Sequence, residues 1–153
     1  MTPEAVLKQM QHQLKTLQEM KSKSVAVGIL KSKATGKVYK NGTNVLKVAA
    51  VHEYGTNTTP QRSFLRMPQE LKEKELSAFI NKQMIKVLSG GQAVEKGLGL
   101  VGVYAVNLSQ DAFATGGFGK WPDISAETKD RKGSSAILID KGILKNSITW
   151  EIR

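Results

Sequence analysis

An α+β fold is expected: a small antiparallel sheet packed with two or three helices, with long irregular loops between them. Three observations predict it. Apolar residues recur near a 3.6-residue period in Pro3–Met20 and Pro68–Leu88, as they do along helices with one apolar face. They alternate in Ser24–Leu30 and Ile148–Arg153, the period of a half-buried strand. Between these lie polar, glycine-bearing stretches, notably Lys31–Gly42 and Ala114–Ser135, which have neither period. At 153 residues the chain fits one domain, 1–153, long enough to bury a core without staples.

In chain order, Val6, Leu7, Met10, Leu14 and Leu17 form the apolar side of the first helix. Thr2 can cap it, with Pro3 at the first helical position. Residues 1–23 form an N-terminal helix that can sit peripherally to the domain. In SVAVGIL (Ser24–Leu30) the residues Val25, Val27 and Ile29 share one face of a strand. Lys31–Gly42 is a hairpin-like excursion or a mobile loop, with room for a short strand at Val38–Lys40. Asn44 can cap a helix over Asn44–Tyr54, with Val45, Val48, Ala49 and His52 along one side, and Gly55 ends it. Thr56–Arg66 follows as a loop containing Pro60. Pro68–Leu88 is a long helix, broken by Ser89-Gly90-Gly91.

Gln92–Phe113 is a third helix weakened by Gly97, Gly99 and Gly102, each costing roughly 1 kcal/mol relative to Ala. Their spacing permits one close approach to the helix. A strand at Leu98–Val106 is the competing assignment. Residues 114–135 form an extended loop; a stretch of this length without clear structure is usually functional or disordered. Ala136–Ser147 is an apolar turn with a short helix from Asp140, and Ile148–Arg153 is a closing strand with Ile148, Trp150 and Ile152 facing the core.

Composition bounds the function. There are no cysteines, so disulfide and thiolate chemistry are excluded. MTPEAVLKQMQHQLKTLQEM has no apolar signal core. The most apolar stretch, Leu98–Val106, is nine residues long, against the roughly 20 that span a bilayer; no membrane partner is expected. The net charge of +10 creates a field that attracts polyanions. Lys31, Lys33, Lys37, Lys40 and Lys47 form the densest acid-free run, and Lys129, Arg131 and Lys132 a second cluster diluted by Asp130. Either these face a polyanion or they form an ordinary solvated surface.

Catalytic constellations fail on their own requirements. His52-Glu53 begins a zincin motif, but Thr56 stands where the second histidine belongs. Two scattered histidines and no cysteines leave no expected metal site. Gly36-Lys37 lacks the first glycine of a phosphate-binding loop, where Lys31 stands, and the hydroxyl after the lysine, where Val38 stands. Gly116-Gly117-Phe118-Gly119 has no strand-to-helix setting for a dinucleotide and reads as a flexible turn. Asp123, Glu127, Asp130 and Asp140 lie among cations that hold them ionised, as surface pairs do. No serine has a histidine in a readable motif. The expectation is no enzyme and no cofactor.

Two segments are not explained by composition alone. AAVHEYGTNTTPQRSFLR (Ala49–Arg66) couples a helix end to a loop that delivers Arg62, Phe64, Leu65 and Arg66. Phe64 and Leu65 can anchor that loop in the core while the arginines face outward, making it a binding feature. In KWPDISAETKDRKG (Lys120–Gly133), Trp121 either marks an interface or plugs the local core. The candidate interface or DNA-channel residues are therefore Lys31, Lys33, Lys37, Lys40, Arg62, Phe64, Arg66, Trp121, Lys129, Arg131 and Lys132.

A helix ending in HEYGT, a loop P-x-R-x-F-L-R, a later W-P-x-I-S-x-x-T and a closing L-I-D-x-G-x-L-x-N-S-I together resemble the virion-morphogenesis and tail-completion proteins of Mu-like and lambda-like tailed phages. Those proteins show a YG or FG helix end, an R-P-F-L type loop, W-x-P-L-S and L-x-D-T-G-x-L-x-x-S-I. Here Ser63 stands where proline is common, one residue is missing between Trp121 and Pro122, Ile124 replaces leucine, and Lys141 takes the threonine position. The resemblance covers about Val25–Ile152, with no recognisable motif in Lys72–Thr115. It implies a structural protein of the head–tail junction (neck or collar, tail completion or tail terminator). Such a protein forms a ring of its own copies around the DNA channel. Its partners are the connector (portal side) and tail tube or terminator proteins, with possible non-specific contact to packaged DNA. It would be in the virion, and in the host cytoplasm during assembly. Lys31–Lys47 and Ala114–Ser135 are the loops expected to order on neighbouring copies. The alternative is a sequence-independent nucleic-acid-binding module; a small hydrolase is a third class.

Overall fold

The computed structural model describes residues 1–34, 36–133, 135–137 and 142–153. Among these, the fold is α+β: seven helices and a two-stranded antiparallel sheet. Three helices are long, α1 (Pro3–Ser22), α5 (Glu73–Leu88) and α6 (Val94–Ala114). Four are short, α2 (Lys31–Ala34), α3 (Val45–Tyr54), α4 (Arg66–Leu71) and α7 (Ala126–Lys132). The sheet pairs β1 (Val25–Gly28) with β2 (Thr149–Ile152), Val25 opposite Ile152 and Val27 opposite Trp150.

The caps follow their sequence cues. The Thr2 hydroxyl accepts from Ala5 N–H at 3.2 Å, and Asn44 accepts from Leu46 N–H at 2.8 Å. Gly55 ends α3 at φ +75°, and a Cβ there would lie 3.0 Å from Gln61 N. Glycine is thus required twice over, by backbone conformation and by the returning loop.

The strand alternative at Leu98–Val106 is overturned: those residues lie within α6. Its glycines do permit close approach, and from two directions. A Cβ on Gly97 would sit 2.7 Å from Val87 Cγ2 of α5, while Gly99 and Gly102 accommodate the Trp150 indole of β2. The helical cost of these glycines is offset by packing a sheet and a helix directly onto the α6 backbone.

Other boundaries move. Pro68–Leu88 is two helices, α4 starting at Arg66 and α5 following Lys72. The strand at Val38–Lys40 is reduced to a single bridge, Val38 to Asn44. Residues 114–135 are not one extended loop. Gly117 N–H donates to Ala112 O and Trp121 N–H to Gly116 O at 3.1 Å, folding a tight turn onto the end of α6. Gly116, Gly117, Phe118 and Gly119 all take positive φ. Ser125 then caps α7. The helix expected from Asp140 falls partly outside the described residues; a 3-10 turn occupies Lys145–Ser147.

The core joins Phe64, Phe113 and Trp121 with Val45, Ala49, Ala112, Leu144 and Ile148. Phe64 and Phe113 rings lie 5.3 Å apart; Trp121 meets Phe113 edge-on at 5.6 Å. No described helix is long and apolar enough to cross a membrane.

Candidate functional site: a buried motif knot beneath a cationic cleft

The site begins with a carboxylate. On α3, Val45, Ala49 and Glu53 follow a four-residue spacing, and all three are buried. Glu53 therefore enters the core and must be hydrogen-bonded. Its oxygens accept from Ser63 Oγ (2.7 Å), Phe64 N–H (2.9 Å), Leu65 N–H (3.0 Å) and Arg66 N–H (3.1 Å). That uses the acceptor capacity of an ionised carboxylate. The Ser63 hydroxyl also accepts from Met67 N–H at 2.9 Å. Together they satisfy free donors at the start of α4, where a negative charge also suits the helix dipole. This explains why α4 starts ahead of Pro68: the cap comes from another helix.

The loop between them is tied down on both sides. Arg62 N–H donates to His52 O at 2.8 Å, and Gln61 Nε2 donates to Glu53 O at 2.9 Å. The Arg62 side chain, only 6% exposed, donates from Nε to Pro122 O and from Nη2 to Asp123 O, both at 2.8 Å. Trp121 Nε1 donates back to Ser63 O at 3.0 Å. HEYGT and PQRSFLR, neighbours in sequence, thus form one hydrogen-bonded knot over Phe64 with the distant KWPDIS.

One expectation is corrected here, and two candidate interface residues are placed in the core. Arg62 does not face outward; its guanidinium bridges two segments. Phe64 is fully buried and is not an interface residue. Trp121 plugs the core, its indole filling the space that a Gly117 side chain would need. Arg66 is exposed, as expected, and pairs with Glu70 at 3.7 Å.

Above the knot opens a cleft of about 610 Å³, lined among others by His52, Arg62, Asp123, Ser125, Arg131 and Lys132. Asp123 is engaged by Lys129 at 2.6 Å. That contact, then the Ile124 N–H, holds its carboxyl below the usual range. Burial pulls the Arg62 guanidinium down, with Asp123 opposing. His52 is also pushed down, first by burial and then by Arg62 and Lys132; its buried Nδ1 has no hydrogen-bond partner among the described residues. The cleft is therefore a cationic surface with a neutral imidazole in its wall. Lys129 is half-buried and Lys132 Nζ donates to Ala136 O, whereas Arg131 is exposed.

The remaining lysines lie apart. Lys31 and Lys33 sit on α2 beside β2, where Lys33 Nζ donates to Trp150 O at 3.2 Å. Lys37 and Lys40 are exposed in the turn whose Tyr39 also lines the cleft. Among the described residues no three His, Cys, Asp or Glu side chains cluster as metal ligands would.

Sequence reasoning missed Glu53. The signal was present, since its spacing from Val45 and Ala49 places an acid on the buried face of α3. Fold and site together define a small α+β domain organised around a buried carboxylate cap. No protein-family model, curated protein or solved structure matches the chain.

Proposed function

We propose that this chain is a non-enzymatic structural protein of a tailed-phage virion. It would sit at the head–tail junction, in a ring of its own copies around the DNA channel, and join connector to tail. One observation carries this reading: three of the four motif segments that resemble tail-completion proteins interlock. Their polar groups are consumed internally. Glu53, Ser63, Arg62 and the Trp121 N–H all bond to protein. Residues used this way maintain a shape. Shape is what a ring subunit must present to its neighbours. Exposed Lys37, Lys40 and Arg131 give the rim a positive surface compatible with passing DNA. Electron microscopy of particles assembled with and without the protein tests the proposal. Heads unjoined to tails in its absence are expected; normal, joined, infectious particles would overturn it.

The +10 charge and the cationic cleft favour a second reading, a sequence-independent nucleic-acid-binding module. Titration with duplex DNA across a salt series separates the two. That module requires an affinity that falls steeply with salt.

A further inference from the structure

Helix α1 is amphipathic but presents its apolar side to solvent. Leu7, Met10, Leu14 and Leu17 are exposed to 57%, 61%, 58% and 47%. The residues that approach the domain are Gln13, Thr16, Glu19, Met20 and Lys23, all half-buried. At about 100° per residue, these lie roughly a third of a turn from the apolar row. The helix is pinned at its C-terminal end, where Lys23 pairs with Glu19 and reaches Glu95 of α6. Its N-terminal half projects.

We propose that the apolar row of α1 is a self-association surface, and that its occupant is α1 of a second copy in antiparallel orientation. The row has the 3-4-3 spacing of a coiled-coil seam. Antiparallel pairing about residue 12 sets Leu7 against Leu17 of the second copy and Met10 against Leu14, so the four layers match without a gap.

Charge selects both the occupant and the direction. The positions flanking the seam are Glu4, Val6, Gln11, Gln13, Gln18 and Met20. On a chain of net charge +10, these flanks offer a like chain no cation; the one on the seam line, Lys21, falls opposite Pro3 and beside Glu4 of the second copy. Glu4 falls opposite Gln18, and Gln11 opposite Gln11, so no like charges meet. Because each body is attached at the C-terminal half of its helix, the antiparallel arrangement holds two net-cationic bodies at opposite ends. A parallel pair would bring them together. The contact is two-fold and isologous. It depends on α1 alone, independently of the head–tail reading.

Sedimentation equilibrium of the full chain tests it. Wild type is expected to give the mass of a dimer, or of a larger assembly that halves in Leu14→Glu. Leu14 is exposed in the single chain, so this variant keeps its helical circular dichroism. Wild type at the mass of one chain overturns the proposal, as does an assembly unchanged by Leu14→Glu. Because the chain has no cysteine, orientation is read by cross-linking. Under mild oxidation Gln11→Cys is expected to form an intermolecular disulfide and Leu14→Cys to remain reduced. The reverse pattern overturns the antiparallel pairing.

Discussion

Arg62 is fastened through its side chain to the backbone of Pro122, its Nε donating to the carbonyl at 2.8 Å across 60 residues of sequence. With the second bond to Asp123 O, the guanidinium spans two consecutive carbonyls. A lysine has no such planar fork and cannot replace both bonds in one geometry. Arg62→Lys is therefore expected to cost about 1–3 kcal/mol, read as a lowered urea midpoint. The 121–133 segment should also loosen selectively. Limited trypsin digestion should cut after Lys120, Lys129 or Arg131 faster in the variant than in wild type. An unchanged cleavage rate would mean the segment is held by other contacts.

Glu53 makes a second, sharper case. Four donors converge on its two oxygens. Glu53→Gln keeps the shape but turns one acceptor into a donor. Whichever way the amide is set, its NH₂ faces donors: Ser63 Oγ with Arg66 N–H, or Phe64 N–H with Leu65 N–H. A loss of about 2–3 kcal/mol is expected for leaving buried donors unpaired, measured by chemical unfolding. Ser63→Ala removes one of the four donors and leaves only the Met67 N–H without its acceptor, so it should cost less than Glu53→Gln.

How much of this was legible in the sequence follows from the range of each interaction. The long helices and both strands were readable because 3.6 and 2 periods are local. The start of α4 was not, since its cap comes from Glu53, 13 residues before Arg66. The fate of Trp121 was undecided because burial depended on Phe113, Gly117 and Ser63 O, none of them its sequence neighbours. The outward placement of Arg62 followed from charge alone, and it failed because two carbonyls from a distant segment solvate the guanidinium. α1 shows the converse: its amphipathic pattern was plain, yet the folded chain leaves the apolar row uncovered.

His52 links the cleft to pH. Burial, Arg62 and Lys132 all push its imidazole below the ordinary value. In the unfolded chain the group takes up a proton as pH falls through about 6.5; in the folded chain it does so only at lower pH. Protons therefore bind the unfolded state first, and stability falls with pH across that window. His52's contribution is fully present above about pH 7 and is lost on descending through 6.5 toward the folded value. Urea midpoints measured from pH 8 to 5.5 should decline in wild type and flatten in His52→Gln. Equal slopes in both proteins would show that His52 does not titrate as its surroundings require.

Gly102 gives a prediction whose sign separates helix propensity from packing. In an exposed helix interior Gly→Ala stabilises by about 1 kcal/mol. At Gly102 the new Cβ would lie 2.5 Å from Trp150 Cδ2 and 2.6 Å from Cγ, at the root of the indole, where a side chain cannot swing clear without moving β2. Overpacking of this kind costs about 1–3 kcal/mol, enough to outweigh the propensity gain. Gly102→Ala is expected to lower the melting temperature despite the better helix former. At Gly99 the nearest approach is 3.1 Å, to Cζ3's neighbour Cη2 at the far edge of the ring, so Gly99→Ala should be milder. Combining Gly102→Ala with Trp150→Ala, which has no Cγ, tests the cause directly. Removing the indole removes the clash, so the alanine should then be neutral or stabilising in the double variant. If Gly102→Ala destabilises equally in both backgrounds, the close approach of Trp150 to α6 is not what requires glycine at that position.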